Sequence, residues 1–214
     1  MLAQGNPLPF SGAAALTMLV ILAASIWMFV ILVRRETSQR RQTALTEWAQ
    51  SRGLRPARAP ISSESLPALA PLAAAHPQID FALTGKGITI AQIRTTDSQV
   101  NALSSPRWNL IVRKLQHPWP ATALRPTAHA VSVVDLFSLS SFPSLASNQR
   151  FMIFGTESQA AALLAESTAP ALLPADVGMV LSGEDLILDF TSRPFDETEF
   201  ARMMDLSDQL IPRL

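Results

Sequence analysis

The chain has 214 residues, with 17 Lys or Arg balanced by 17 Asp or Glu, and contains no cysteine. Without cysteine there are no disulfides, thiolate zinc sites or cysteine nucleophiles. The zero net charge hides an asymmetry: residues 34–150 hold fourteen Lys or Arg against six Asp or Glu, and residues 151–214 hold three against eleven.

The first informative segment runs from Phe10 to Val33, 24 residues without a charge, twelve of them Leu, Ile, Val or Phe. About 20 apolar helical residues cross a hydrocarbon core of roughly 30 Å, so the segment predicts a transmembrane helix. Met1 to Pro9 hold no Lys or Arg, and the far edge of the run, Phe29 to Val33, offers no small-residue cleavage site. Both features argue against a cleaved signal. Arg34, Arg35, Arg40 and Arg41 all flank the C-terminal side. By the positive-inside rule this places the amino terminus outside and everything from residue 34 onward in the cytoplasm. The expected layout is a short extracytoplasmic tail over 1–9, a transmembrane helix over 10–33, a juxtamembrane helix and Pro-rich linker over 34–64, and a soluble domain over 65–214. Small residues at Gly12 to Ala15 and Ala23 to Ser25 suit close approach of another membrane helix. The lipid bilayer and another membrane protein or complex are therefore the expected partners, and nucleic acid is not.

Glu36 to Arg52 lack Pro and Gly, which predicts a helix continuing to Gly53 as its C′ residue, with Leu45, Trp48 and Ala49 as an apolar stripe. The prolines at 56, 60, 67 and 71 predict a stiff connector leading into a short helical piece around Ser65 to Ala75. Alternation at Ile79, Phe81, Leu83 and then Ile88, Ile90, Gln92, on either side of Gly85-Lys86-Gly87, predicts a hairpin. Strands are expected at Trp108 to Lys114, Ala130 to Leu136 and Arg150 to Phe154, with the prolines at 118, 120 and 126 breaking the segment between the first two. A helix is expected from Thr156 to about Glu166, opened by a capping box of Thr156 and Gln159. A second hairpin follows, Val177 to Ser182 and Asp185 to Phe190, with Gly183 at the first position of a II′ turn. The last helix is capped by Asp196 with Glu199 at N3, and Phe195 and Phe200 take the two positions of a hydrophobic staple. Pro212 ends it. The whole predicts an α+β fold: one N-terminal transmembrane helix, then a single antiparallel sheet carrying two or three helices.

Motifs of chemistry are scarce. Thr84-Gly85-Lys86-Gly87 lacks the upstream Gly and the Ser or Thr that a phosphate loop needs. His76, His117 and His129 stand in unrelated segments, and no catalytic residue, metal ligand or cofactor is expected. The acidic series Glu184, Asp185, Asp189, Asp196 and Glu197 is explained by turns and caps except at Asp189, which lies in an apolar run within reach of Arg193 for an ion pair. Trp108, Trp119 and Phe142 are expected in core or hairpin packing, with an apolar groove as the other reading.

The run Leu172 to Gly178, Ser182-Gly183, and Leu188 to Asp196 resembles the C-terminal block of a family of uncharacterised single-span bacterial membrane proteins, over roughly residues 105–214. The resemblance implies a bacterial inner membrane and no activity. The expected function is a membrane-anchored accessory or interaction subunit whose cytoplasmic module binds a protein partner and does no chemistry of its own. The alternative is a membrane-bound hydrolase or ligand-binding sensor with a site near Asp189, Arg193 and the serine-rich loop from Ser138 to Ser147.

Overall fold

The computed structural model describes residues 12–57, 77–95, 107–129, 132–137, 139, 144, 146–147 and 149–214, of which 12–16, 34–42 and 146–147 are described by backbone alone. They fall into two compact units, Met1–Ala44 and Leu45–Leu214.

The first unit is built on helix α1, Gly12–Ser51, a continuous run of 40 residues. One expectation is overturned here: among the described residues no helix is long and apolar enough to cross a membrane. Arg34, Arg35, Arg40 and Arg41, expected to flank the membrane, have side chains outside the described residues.

In the second unit the last turns of α1 present Leu45 and Ala49, which are buried, while Trp48 packs against Phe200 with ring centroids 5.7 Å apart. The helix then stops in a Schellman motif. Leu54 N donates to Ala49 O, Gly53 N donates to Gln50 O, and Gly53 takes the left-handed φ of +74° that such a stop requires. Strand β1, Arg55–Pro56, pairs with β2, Pro77–Gly85, which turns through Lys86 and Gly87 into β3, Ile88–Thr95. Both turn residues have positive φ, the requirement of a type I′ hairpin. The short helical piece expected around Ser65 to Ala75 lies outside the described residues.

Strand β4, Arg107–Pro126, has 20 residues and is not ended by its prolines. Its register with β7, Gly178–Asp189, breaks twice, between Lys114 and Trp119 and between Trp119 and Thr122, so Pro118 and Pro120 fall where no ladder bond is lost. Strand β7 is a single run of 12 residues by its pairing with β4, yet it cannot be straight, since twelve extended residues span roughly 35 Å. A Cβ on Gly178 would lie 3.3 Å from the Cβ of Asp189, so the two ends of β7 meet. The reversal is at Gly183, with φ +57°. Met179, Leu181, Leu186 and Leu188 accordingly share one core cluster while Val180 and Ile187 share the other. The first half of β4 pairs with 185–189 and the second with 179–181, so folded β7 is held between the two halves of β4. Strand β3 adds to the first half, and β6, Phe151–Gly155, with β5, Ala146–Ser147, to the second. All pairings are antiparallel in one seven-stranded sheet.

Both faces are covered. Helices α3, Ser158–Glu166, α4, Ala169–Leu172, and α5, Glu197–Leu210, together with the end of α1, cover one face through Leu164, Ala169, Phe200 and Met203. On the other face α2, Val133–Leu136, inserts Val133 and Val134 over Trp108, Leu110 and Ile187. Helix α2 corrects the strand expected at Ala130 to Leu136. Ser132 caps it, accepting from Val134 N and forming a capping box with Asp135, and these local bonds offer the apolar stretch a helical start. The short helix α4 was not expected either; Pro170 stands in its first turn, where its missing N–H costs nothing.

Candidate functional site

The feature with the most polar chemistry is a hollow of about 120 Å³ where the two ends of β7 meet, lined by Pro126, His129, Ser132, Asp176, Gly178, Asp189, Thr191 and Ser192. Asp189 forms its centre and is 6% exposed. Its Oδ2 accepts from Val133 N at 2.8 Å and Ser132 Oγ at 3.4 Å, and its Oδ1 accepts from Thr191 N at 3.1 Å and Thr191 Oγ1 at 2.5 Å. One carboxylate thus ties the start of α2 to the end of β7. The Thr191 hydroxyl also accepts from Asn109 N at 3.0 Å, extending the connection into β4.

The expected pair of Asp189 with Arg193 does not form. The chain turns after Phe190, with Arg193 N donating to Phe190 O, and carries the guanidinium to Asp176 instead, at 2.6 and 2.8 Å. Ser192 Oγ donates to the same carboxylate at 3.0 Å. The Arg193 guanidinium, helped by Ser192 and opposed by partial burial, holds the Asp176 carboxyl below its ordinary pKa, and Asp176 in turn raises that of Arg193. The third arm of Arg193 reaches Glu199 at 3.1 Å, which also receives Arg202 at 2.6 Å.

These bonds decide the roles of the remaining candidates. Asp196 caps α5, accepting from Glu199 N at 3.0 Å, but the Glu199 side chain is taken by the two arginines. Phe195 and Phe200 are in edge contact at 4.6 Å. Thr156 and Gln159 do not make a capping box: α3 starts after Glu157, with no side-chain cap, and the Thr156 hydroxyl bonds Ala121 O at 3.4 Å. Trp108 and Trp119 do not share a groove, because they pack on clusters at opposite faces of the sheet. Phe142 and most of the loop from Ser138 to Ser147 lie outside the described residues, as does His76. His129, set aside in sequence because it stands apart from the other histidines, is half-buried at the wall of the hollow, and its Nε2 has no hydrogen-bond partner among the described residues.

Chemically, the polar groups of the hollow are largely spent on one another. The Ser132 and Thr191 hydroxyls point their protons at Asp189, and the Ser192 hydroxyl points its proton at Asp176, so both carboxylates are saturated with donors. Among the described residues no group of three His, Asp or Glu is placed to hold a metal ion. No family model, no curated protein and no solved structure matches the chain.

Proposed function

We propose that the chain is an accessory or interaction subunit working at a membrane, in which the apolar stretch of α1 meets lipid and the α+β unit binds a protein partner without chemistry of its own. The observation that carries this is the exposure of α1. Its large apolar side chains from Met18 to Val33, Trp27 and Phe29 among them, are mostly 39–73% exposed. In the second unit the only large apolar side chain exposed among the described residues is Leu163. An apolar surface of that extent is not left in water. It covers every side of the helix rather than one stripe, and contact with lipid takes apolar surface out of water.

The acids of the second unit support the interaction reading over catalysis. Asp176, Asp185, Glu199 and Asp208 are in ion pairs, and Asp196 caps a helix. Such roles are structural, and a general base needs a free oxygen within reach of a reacting proton. The test is fractionation of cells expressing the full chain. The protein should sediment with membranes, stay there in high salt, and be released by detergent. Recovery in the supernatant without detergent would overturn the reading.

A further inference from the structure

We infer that the α+β unit takes its partner at the corner where α1 ends against the β2–β3 turn, and that the partner presents an acidic segment there, an assignment that rests on the interaction reading above. Arg52, Arg55 and Lys86 are exposed at this corner. Arg52 and Arg55 stand on either side of Gly53-Leu54, and Arg55 pairs in register with Thr84, two residues before Lys86. Lys86 closes the gap: a Cβ on Gly53 would lie 3.1 Å from its Cε and 3.3 Å from its Nζ. None of the three has an ion pair among the described residues. Elsewhere in the unit cations are matched, as Arg94 is by Asp80, Arg113 by Asp208 and Lys114 by Asp185. Like charges gathered without an acid repel, and an anionic partner relieves that repulsion.

The corner is built rather than incidental. A cation beside a helix C-terminus is ordinarily held by the last carbonyls. Here Trp48 O, Ala49 O and Gln50 O accept from Ser51 Oγ, Leu54 N and Gly53 N, and the Lys86 ammonium makes no hydrogen bond among the described residues. Lys86 is also the one non-glycine among them with a positive φ, +50°. A type I′ turn favours Asn, Asp or Gly at that position, so a lysine carries a conformational cost with no internal bond in return. The turn abuts the helix end only because residue 85 is glycine: a Cβ there would stand 2.6 Å from Gly53 O. The Arg52 guanidinium lies over the Trp48 ring, 5.7 Å from its centroid, which restrains it. Restrained cations without internal acids are complementary to a carboxylate-bearing segment, and arginine meets a carboxylate with two parallel N–H donors.

The experiment is fluorescence anisotropy of a fluorescein-labelled hexaglutamate peptide titrated with the purified full chain in neutral detergent. That readout is independent of sedimentation with membranes, so this assignment and the membrane reading fail separately. The peptide should bind saturably, and more weakly as salt is added, while a hexaserine peptide should not bind. Arg52→Gln, Arg55→Gln and Lys86→Asn combined should weaken binding at least tenfold in a chain that stays folded by circular dichroism. Arg107→Gln, which removes an exposed cation at the opposite end of the β3–β4 ladder, should leave binding unchanged. Lys86→Asn alone should lower affinity while keeping or raising the thermal midpoint, because Asn suits the positive φ. A lowered midpoint would mean that Lys86 serves the helix end, and would overturn the assignment. So would no saturable binding, an equal loss in Arg107→Gln, full binding in the folded triple variant, or tighter binding of an equally charged oligothymidylate or of phosphatidylserine in mixed micelles.

Discussion

Asp189 shows how a residue without an evident role in sequence becomes the point on which several elements depend. It holds the first N–H of α2, the turn after β7 and, through Thr191, the backbone of β4. Asp189→Ala would leave buried donors without acceptors, each costing about 1–3 kcal/mol, so we expect a loss of about 3 kcal/mol or more in urea unfolding. A loss under about 1 kcal/mol would mean that the four bonds are replaced by solvent. Asp176 gives a prediction in pH. Its carboxyl is lowered in the folded state, so between that value and the ordinary range near about 3.9 the unfolded chain binds more protons. The stabilisation from its pair with Arg193 is therefore complete above the ordinary range and fades as pH falls through the lowered value. Urea midpoints across acid pH should show this limb in the parent chain and a flatter one in Asp176→Asn.

Among the elements, those with local signals were legible and those specified by distant residues were not. The end of α1 at Gly53, the reversal at Gly183, and the Asp196 cap with its Phe195 and Phe200 contact each arise from residues within a few positions of one another. Helix α2 was hidden because an apolar run from Ala130 to Leu136 reads equally as a strand, and one of the groups that hold its first turn, Asp189, lies 56 residues from Val133. The partner of Arg193 was misread for a related reason. Proximity in sequence favoured Asp189, but a turn between them aims the guanidinium at Asp176, 17 positions back. Thr156 shows the limit of motif reading, since its hydroxyl is drawn to Ala121 O on β4 rather than to the helix. These differences predict unequal costs. Asp196→Ala should lose about 0.5–2 kcal/mol, and Phe200→Ala, which empties a fully buried ring site packed on Trp48, Phe190 and Phe195, about 3–5 kcal/mol. Thr156→Ala should stay within about 0.5 kcal/mol by thermal unfolding, and a loss equal to that of Asp196→Ala would restore the capping role.

For the molecule as a whole, the charge asymmetry along the chain is reduced in space. Arg113 pairs with Asp208 and Lys114 with Asp185, so cations of the basic stretch are spent on acids of the acidic one. In the membrane role proposed above, attraction to anionic headgroups, which weakens with salt, is then a lesser term than the apolar surface of α1. The absence of cysteine makes the central claim directly measurable, because a single introduced thiol carries a probe to one place. An environment-sensitive fluorophore on Met28→Cys, in the exposed apolar stretch, should shift to the blue when the full chain is mixed with phospholipid vesicles and be quenched by nitroxide-labelled lipid tails. The same fluorophore on Asp205→Cys, at an exposed position of α5, should show neither change. An aqueous, unquenched signal at residue 28 in the presence of vesicles would contradict the account.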